Sequence, residues 1–190
     1  MKTNRMKSQS TFGRNGFLCA AMVVLTLAAA GCHVQKPYEP TPSTGATKAL
    51  DELRSLPSLE DTKTQVQAAM DDITAAAKTM IPSITWETLD QGASGNCEQP
   101  YEQTDGQRLF LPNAVAERVS VSEEDWAKIL QVAKDAAAKI GATDVQVIHD
   151  QPGNHDVWFS GPTGIFIKVG YQGNLVVSGY TGCRLPRDKK

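Results

Sequence analysis

The segment TDVQVIHDQPGNHDVWFSGPTGIFIKVGYQGNLVVSGY, residues 143–180, is a train of short apolar-alternating runs cut by turn residues. Residues 143–149 alternate, with Val145 and Val147 on one face. Pro152-Gly153-Asn154 then turns the chain. Residues 157–160, 165–171 and 175–180 follow, separated by Gly161-Pro162-Thr163-Gly164 and Gln172-Gly173-Asn174. Successive strand side chains point to opposite faces, so Ile165, Ile167, Val169 and Tyr171 share one face. Short glycine-containing links between such runs predict an antiparallel meander.

A meander with one apolar face needs a cover, and two helices upstream can supply it. Residues 122–140 open with Ser122 and Asp125 in an approximate capping box, with Glu123 and Glu124 in the first turn. Trp126, Ile129, Leu130, Ala133, Ala137 and Ile140 form its stripe, and Gly141 stands at the C-cap position. Residues 58–80 repeat the plan. Ser58 caps, Glu60 and Asp61 follow, and Val66, Met70, Ile73, Ala77 and Met80 recur at helical spacing. A stripe this short could also serve a coiled-coil partner, but packing on the protein's own sheet is the simpler use.

Between the helices, residues 84–89 read as a strand and residues 91–106 as a polar loop holding Cys97. Residues 108–111 and 114–121 read as strand broken at Pro112-Asn113, which points to an edge or a bulge. Helix, strand, strand, helix and then four strands lacks the rhythm of parallel crossovers. The predicted fold is α+β: a two-layer sandwich, an antiparallel sheet with two long helices on one face. A short helix is expected over residues 46–56, ending before Pro57.

The N-terminus sets the compartment. The first sixteen residues carry Lys2, Arg5, Lys7 and Arg14 and no acid, and an apolar run follows over residues 17–30. This is a secretory signal, too short to span a bilayer, which takes about 20 apolar residues. Ala29-Ala30-Gly31-Cys32 then fits a lipoprotein signal peptidase, although Ala29 stands where leucine is commoner. Cleavage would make Cys32 the new N-terminus, its thiol carrying a diacylglycerol with acyl chains such as palmitate. The rival reading is ordinary cleavage after Ala30 with Cys32 unmodified. Two acyl chains anchor stably where one is marginal. Residues 33–47, with Pro37, Pro40 and Pro42, read as a semi-extended spacer. The expected organisation is a signal peptide over 1–31, a flexible tether over 32–47 and one globular domain over 48–190.

Cleavage would leave 15 Lys+Arg against 21 Asp+Glu. An acidic chain without a basic patch is not built for nucleic acid or for electrostatic docking on anionic lipid, so the N-terminal lipid must hold the membrane. Only Cys97 and Cys183 remain for the domain, and in an oxidising compartment they most simply form a disulfide.

Candidate sites are few. His149-Asp150 and His155-Asp156 flank the turn at Pro152-Gly153-Asn154, and imidazole beside carboxylate suits Zn²⁺ or another divalent ion. Strand alternation, however, sends neighbours to opposite faces, so at most one of each pair shares a side. There is no G-x-S-x-G, no placed S-x-x-K and no phosphate loop, so neither an enzyme nor a cofactor is expected. Trp86, Trp126, Trp158 and Phe166, with Phe159 and Tyr180, are candidates to line an apolar pocket between helices and sheet. Their alternative use is plain core.

Several fragments together resemble the mycobacterial LppA/LppV-type lipoprotein family: Gly31-Cys32, Ile81-Pro82-x-x-Thr85-Trp86, Cys97, Ser122-x-Glu124-Asp125-Trp126, Gly141-Ala142-Thr143 and Gly182-Cys183. The resemblance covers the chain from about Met80 onward. It implies a protein exported and lipid-anchored through Cys32 on the outer face of the cell membrane, with Cys97 and Cys183 disulfide-bonded, and it implies no activity. The expected role is a non-enzymatic envelope domain binding a protein partner or an apolar ligand. The competing role is a metal protein or enzyme using the His149/His155 hairpin.

Overall fold

The computed structural model describes residues Tyr38–Lys190. The expected signal peptide and Cys32 lie outside the described residues. Three helices and eight strands follow one another: α1 (Ser43–Ser55), α2 (Leu59–Met80), β1 (Glu87–Thr88), β2 (Ala93–Asn96), β3 (Gln107–Phe110), β4 (Ala114–Ala116), α3 (Glu123–Lys139), β5 (Asp144–Gln151), β6 (Asn154–Ser160), β7 (Ile165–Tyr171) and β8 (Leu175–Thr181). The strands form one antiparallel sheet in the order β1-β4-β8-β7-β6-β5. Strand β3 also pairs with β8 and carries β2 on its far side. The fold is α+β, a sheet with α2 and α3 packed together across one face. No helix among the described residues is long and apolar enough to cross a membrane.

Both long helices start where their caps predict. Ser58 Oγ accepts from Asp61 N, and Ser122 Oγ accepts from Asp125 N, each at 3.1 Å. Each serine satisfies one of the donors that a helix start leaves without an internal partner. The stripes then seat the helices. Val66, Met70 and Ile73 of α2 and Trp126, Ile129 and Ala133 of α3 are buried against Phe159, Ile167 and Val177 of the sheet. At the crossing of α2 over β8 the sheet presents Gly179, and Val66 fills the space a side chain there would take. Burying apolar surface at about 25 cal/mol per Å² makes this interlayer core the main stabilising element.

Four expectations about boundaries need correction. The domain does not begin at residue 48: α1 starts at Ser43, and the segment before it is docked. Thr41 N donates to Glu102 Oε1 at 2.8 Å, and the amides of Gln99 and Gln103 donate to the carbonyls of Glu39 and Thr41, each at 2.6 Å. These side chains satisfy the backbone of a proline-containing stretch that has no ladder of its own. Helix α1 covers a smaller second core of Leu53, Leu185, Cys97 and Cys183. The supposed polar loop over 91–106 contains β2, which pairs with β3 although its sequence, Ala-Ser-Gly-Asn, has no apolar alternation. The strand expected over 84–89 shrinks to Glu87–Thr88, because Ile84 turns into the core and the Trp86 indole donates to Thr74 O of α2 at 3.1 Å. The break expected at Pro112-Asn113 to mark an edge or a bulge is a step inside the sheet: β3 and β4 lie in succession against β8, with β2 and β1 on their far sides.

Candidate functional site

The hairpin of β5 and β6 sets His149 opposite Asp156 and Asp150 opposite His155. The two histidines part company there. His149 stays at the surface, whereas His155 is 4% exposed and turns toward the helices. Its ring stacks on Trp126 with centroids 4.6 Å apart. Its Nδ1 lies 3.1 Å from Asp150 Oδ1, and its Nε2 lies 3.1 Å from Glu123 Oε2 at the start of α3. Glu123 Oε1 also accepts from Gly153 N in the hairpin turn at 3.0 Å. His155 therefore joins the α3 N-terminus to the β5–β6 hairpin, with both ring nitrogens occupied within the chain. No group of three or more His, Cys, Asp or Glu side chains placed to hold a metal ion occurs among the described residues.

The four aromatics expected to line one pocket stand on two sides of the sheet. Trp126 is buried between the layers, and Trp86 packs on the same core from its edge. Trp158 and Phe166 point the other way. The reason is alternation: Val157 and Phe159 of β6 and Ile165 and Ile167 of β7 take the helix side, which assigns the residues between them to the open face. There, Phe110, Tyr180, Phe166 and Trp158 form a continuous row with successive centroids 4.7, 4.6 and 5.4 Å apart. Arg108 lies over Phe110 at one end and Lys168 over Trp158 at the other. Both cations are themselves paired, Arg108 to Glu98 at 2.7 Å and Lys168 to Asp156 at 2.9 Å. The Trp158 indole N–H donates to Asp156 Oδ1 at 2.7 Å. Phe166 and Tyr180 stack while the other two contacts are edge-to-face, and the two cations cap the ends, so the row packs on itself along the open face, with a pocket of ≈ 320 Å³ beside Phe110 and Tyr180.

An exposed apolar surface runs along the β5 edge. All eight of its residues are exposed, Val145 at 51% and Val147 at 55%. Both valines lie on the helix side, opposite Phe159 and Val157 in the ladder. Helix α3 stands back from them, leaving an apolar groove of ≈ 440 Å³ whose walls are Ala127 and Leu130 on one side and Val145 and Val147 on the other. Sequence reasoning passed over this groove. The sequence carries no separate signal for it: Leu130 reads as part of the core stripe, and its neighbours on that side, Ala127, Gln131 and Lys134, form no apolar stripe of their own.

At the other end of the sheet, Cys97 and Cys183 are joined as a disulfide, with Cα atoms 5.6 Å apart and a sequence separation of 86. Next to it, Arg184 is 4% exposed. Its Nε donates to Thr62 Oγ1 of α2, and its Nη1 donates to Cys183 O and to Thr163 Oγ1 in the β6–β7 turn. Burial pushes the Arg184 pKa down. Nearby, burial and the hydrogen bond to Glu52 push the Tyr101 hydroxyl up to about 12. The cluster ties α1, α2 and the last strand together.

The solved structures that this chain resembles show the same fold at low identity. One is a lipoprotein, LppA, from Mycobacterium tuberculosis, 20% identical with a TM-score of 0.61, covering 76% of this chain and 89% of that one. Another is a DUF4853 family protein from Actinomyces odontolyticus, 16% identical with a TM-score of 0.51, covering 73% of this chain and 74% of that one. No curated protein matches the sequence. The LppA family, described as lipoprotein confined to pathogenic Mycobacterium, matches residues 34–187. That span takes in all three helices and all eight strands, and the chain belongs to the LppA family of lipoproteins.

Proposed function

We propose that this lipoprotein is exported behind a signal peptide of residues 1–31 and held on the outer face of the cell membrane by a diacylated Cys32. Its domain is a non-enzymatic binding module for a protein partner in the envelope. The observation that carries the binding reading is the contrast between a filled interior and an apolar edge. The aromatics that could have enclosed a ligand are split between the core and the opposite face of the sheet. Val145, Val147 and the 37% exposed Ile148 remain open along one strand. A contiguous exposed apolar patch on an otherwise packed domain marks an interaction surface.

The docked segment before α1 also shortens the leash. From Cys32 to Tyr38 the backbone reaches at most about 20 Å, at roughly 3.3–3.6 Å per residue. A domain so tethered searches for partners within a thin layer above the membrane.

The test is a photo-reactive amino acid introduced at Val147 and, separately, at Lys168 on the opposite face, in cells making the full chain. Irradiation is expected to yield a discrete protein adduct from position 147 and none from position 168. Equal labelling from both positions, or none from either, would refute the reading.

A further inference from the structure

The groove and the edge together specify how a partner is held, an inference that rests on the reading of the domain as a protein-binding module. We infer that β5 accepts an added antiparallel strand: an extended segment of another protein with aliphatic side chains at alternate positions and basic residues flanking them.

Three observations define this occupant. The first is the backbone. Strand β5 pairs with β6 on one side and ends the sheet on the other, so its outer N–H and C=O groups face away from the ladder. An extended chain satisfies such a row directly, and antiparallel addition continues the pattern of every other pair in the sheet. The second is the groove. A strand laid beside β5 sends alternate side chains to the helix side, into the apolar trough between Leu130 and the two valines. Regular register runs over residues 144–147 and breaks between Val147 and His149, so the site is about four residues long.

The third observation is charge. Asp144 opens the strand with no ion-pair partner among the described residues, and Asp150 stands near its end beside His155. Residues 38–190 hold 14 Lys+Arg against all 21 Asp+Glu. A second copy of this chain fits badly: it brings the same excess of seven acids, so two like-charged domains would meet along the edge. A segment with flanking bases meets Asp144 and this acidic balance favourably.

The probe is a fluorescein-labelled peptide, Lys-Thr-Val-Thr-Val-Thr-Lys, blocked at its C-terminus and titrated with the full chain in detergent while anisotropy is read. Saturable binding is expected, weakened at least about tenfold by Val147→Lys, with circular dichroism unchanged because Val147 is exposed. N-methylation of one alternate set of peptide amides is expected to abolish binding, and methylation of the other set to change it less than about threefold. Three results would overturn the inference: no saturation, equal effects of the two methylated sets, or indifference to Val147→Lys. So would light scattering that finds two chains per particle, falling to one in Val147→Lys, because the edge would then belong to a second copy. If the peptide fails while cross-links from position 147 persist, the strand-addition mode is wrong and the binding module stands. If both fail, the module reading falls with it.

Discussion

Replacing Gly179 with alanine tests whether α2 is seated on β8 as the structure has it. A Cβ at this position would lie 2.6 Å from Val66 Cγ1, 2.9 Å from Met70 Sδ and 3.3 Å from Ile167 Cδ1. Val66 and Ile167 are fully buried and Met70 is 2% exposed, so none of the three can swing into solvent. The helix must lift or its side chains must leave their rotamers, at a cost of about 1–3 kcal/mol. Val66→Ala alone removes roughly two methylene equivalents and leaves a cavity, costing about 2 kcal/mol. In the double variant the methyl on residue 179 occupies the space that Val66 gave up, and the vacated space lets the unbranched Met70 side chain move off its 2.9 Å approach. The pair should then cost about 2 kcal/mol in total, a coupling of about 2 kcal/mol relative to the sum of the single changes. Urea denaturation followed by circular dichroism reads all three. Single costs that add to within about 0.5 kcal/mol would refute the seating of α2 on the Gly179 notch, as would a neutral Gly179→Ala.

The disulfide and the docked N-terminal segment give two further expectations. Cys97→Ala combined with Cys183→Ala opens a closed loop whose ends are 86 residues apart, which the chain-entropy relation values at about 4.5 kcal/mol. Urea titration should show a loss of about 3–4.5 kcal/mol and a steeper denaturant slope, because the unfolded chain expands; a loss below about 1 kcal/mol would contradict it. The backbone N–H of Thr41 holds the Glu102 carboxyl down to about 2, against an ordinary value of 4.5. A depressed carboxyl contributes stability that is complete above its unfolded value and is lost as pH falls through the folded one. Docking of residues 38–42 should therefore weaken between pH 4.5 and 2, seen as faster hydrogen exchange at Thr41 once the intrinsic pH dependence is removed. An exchange protection that stays constant across that range would count against the role of Glu102.

What the sequence discloses and what it hides follow from how local each signal is. Helices α2 and α3 carry their caps and stripes within a few residues, and β6, β7 and β8 are bounded by glycine-containing turns. Strand β2 is different. Ala-Ser-Gly-Asn has no strand signal of its own and is extended because the edge of β3 offers it partners. The docking of residues 38–42 depends on Glu102, Gln99 and Gln103, which lie about sixty residues away in sequence. The pocket expectation failed for a reason that was already legible. Placing Ile165, Ile167 and Val169 on one face puts Phe166 on the other, so it could not share a cavity with Trp126. The exposure of Val145 and Val147 was not legible, because alternation shows that two valines share a face but not that α3 stops short of covering it.

Native mass spectrometry of the protein recovered from the envelope of producing cells tests the acylated anchor and the filled interior together. The chain is expected to begin at Cys32, carry a diacylglyceryl mass on that residue, lack two hydrogens for Cys97–Cys183 and hold no noncovalent lipid or metal ion. A retained residue 1–31 segment or an unmodified Cys32 would contradict the anchor. A stoichiometric lipid adduct that survives desolvation would contradict the filled interior and make the protein a carrier.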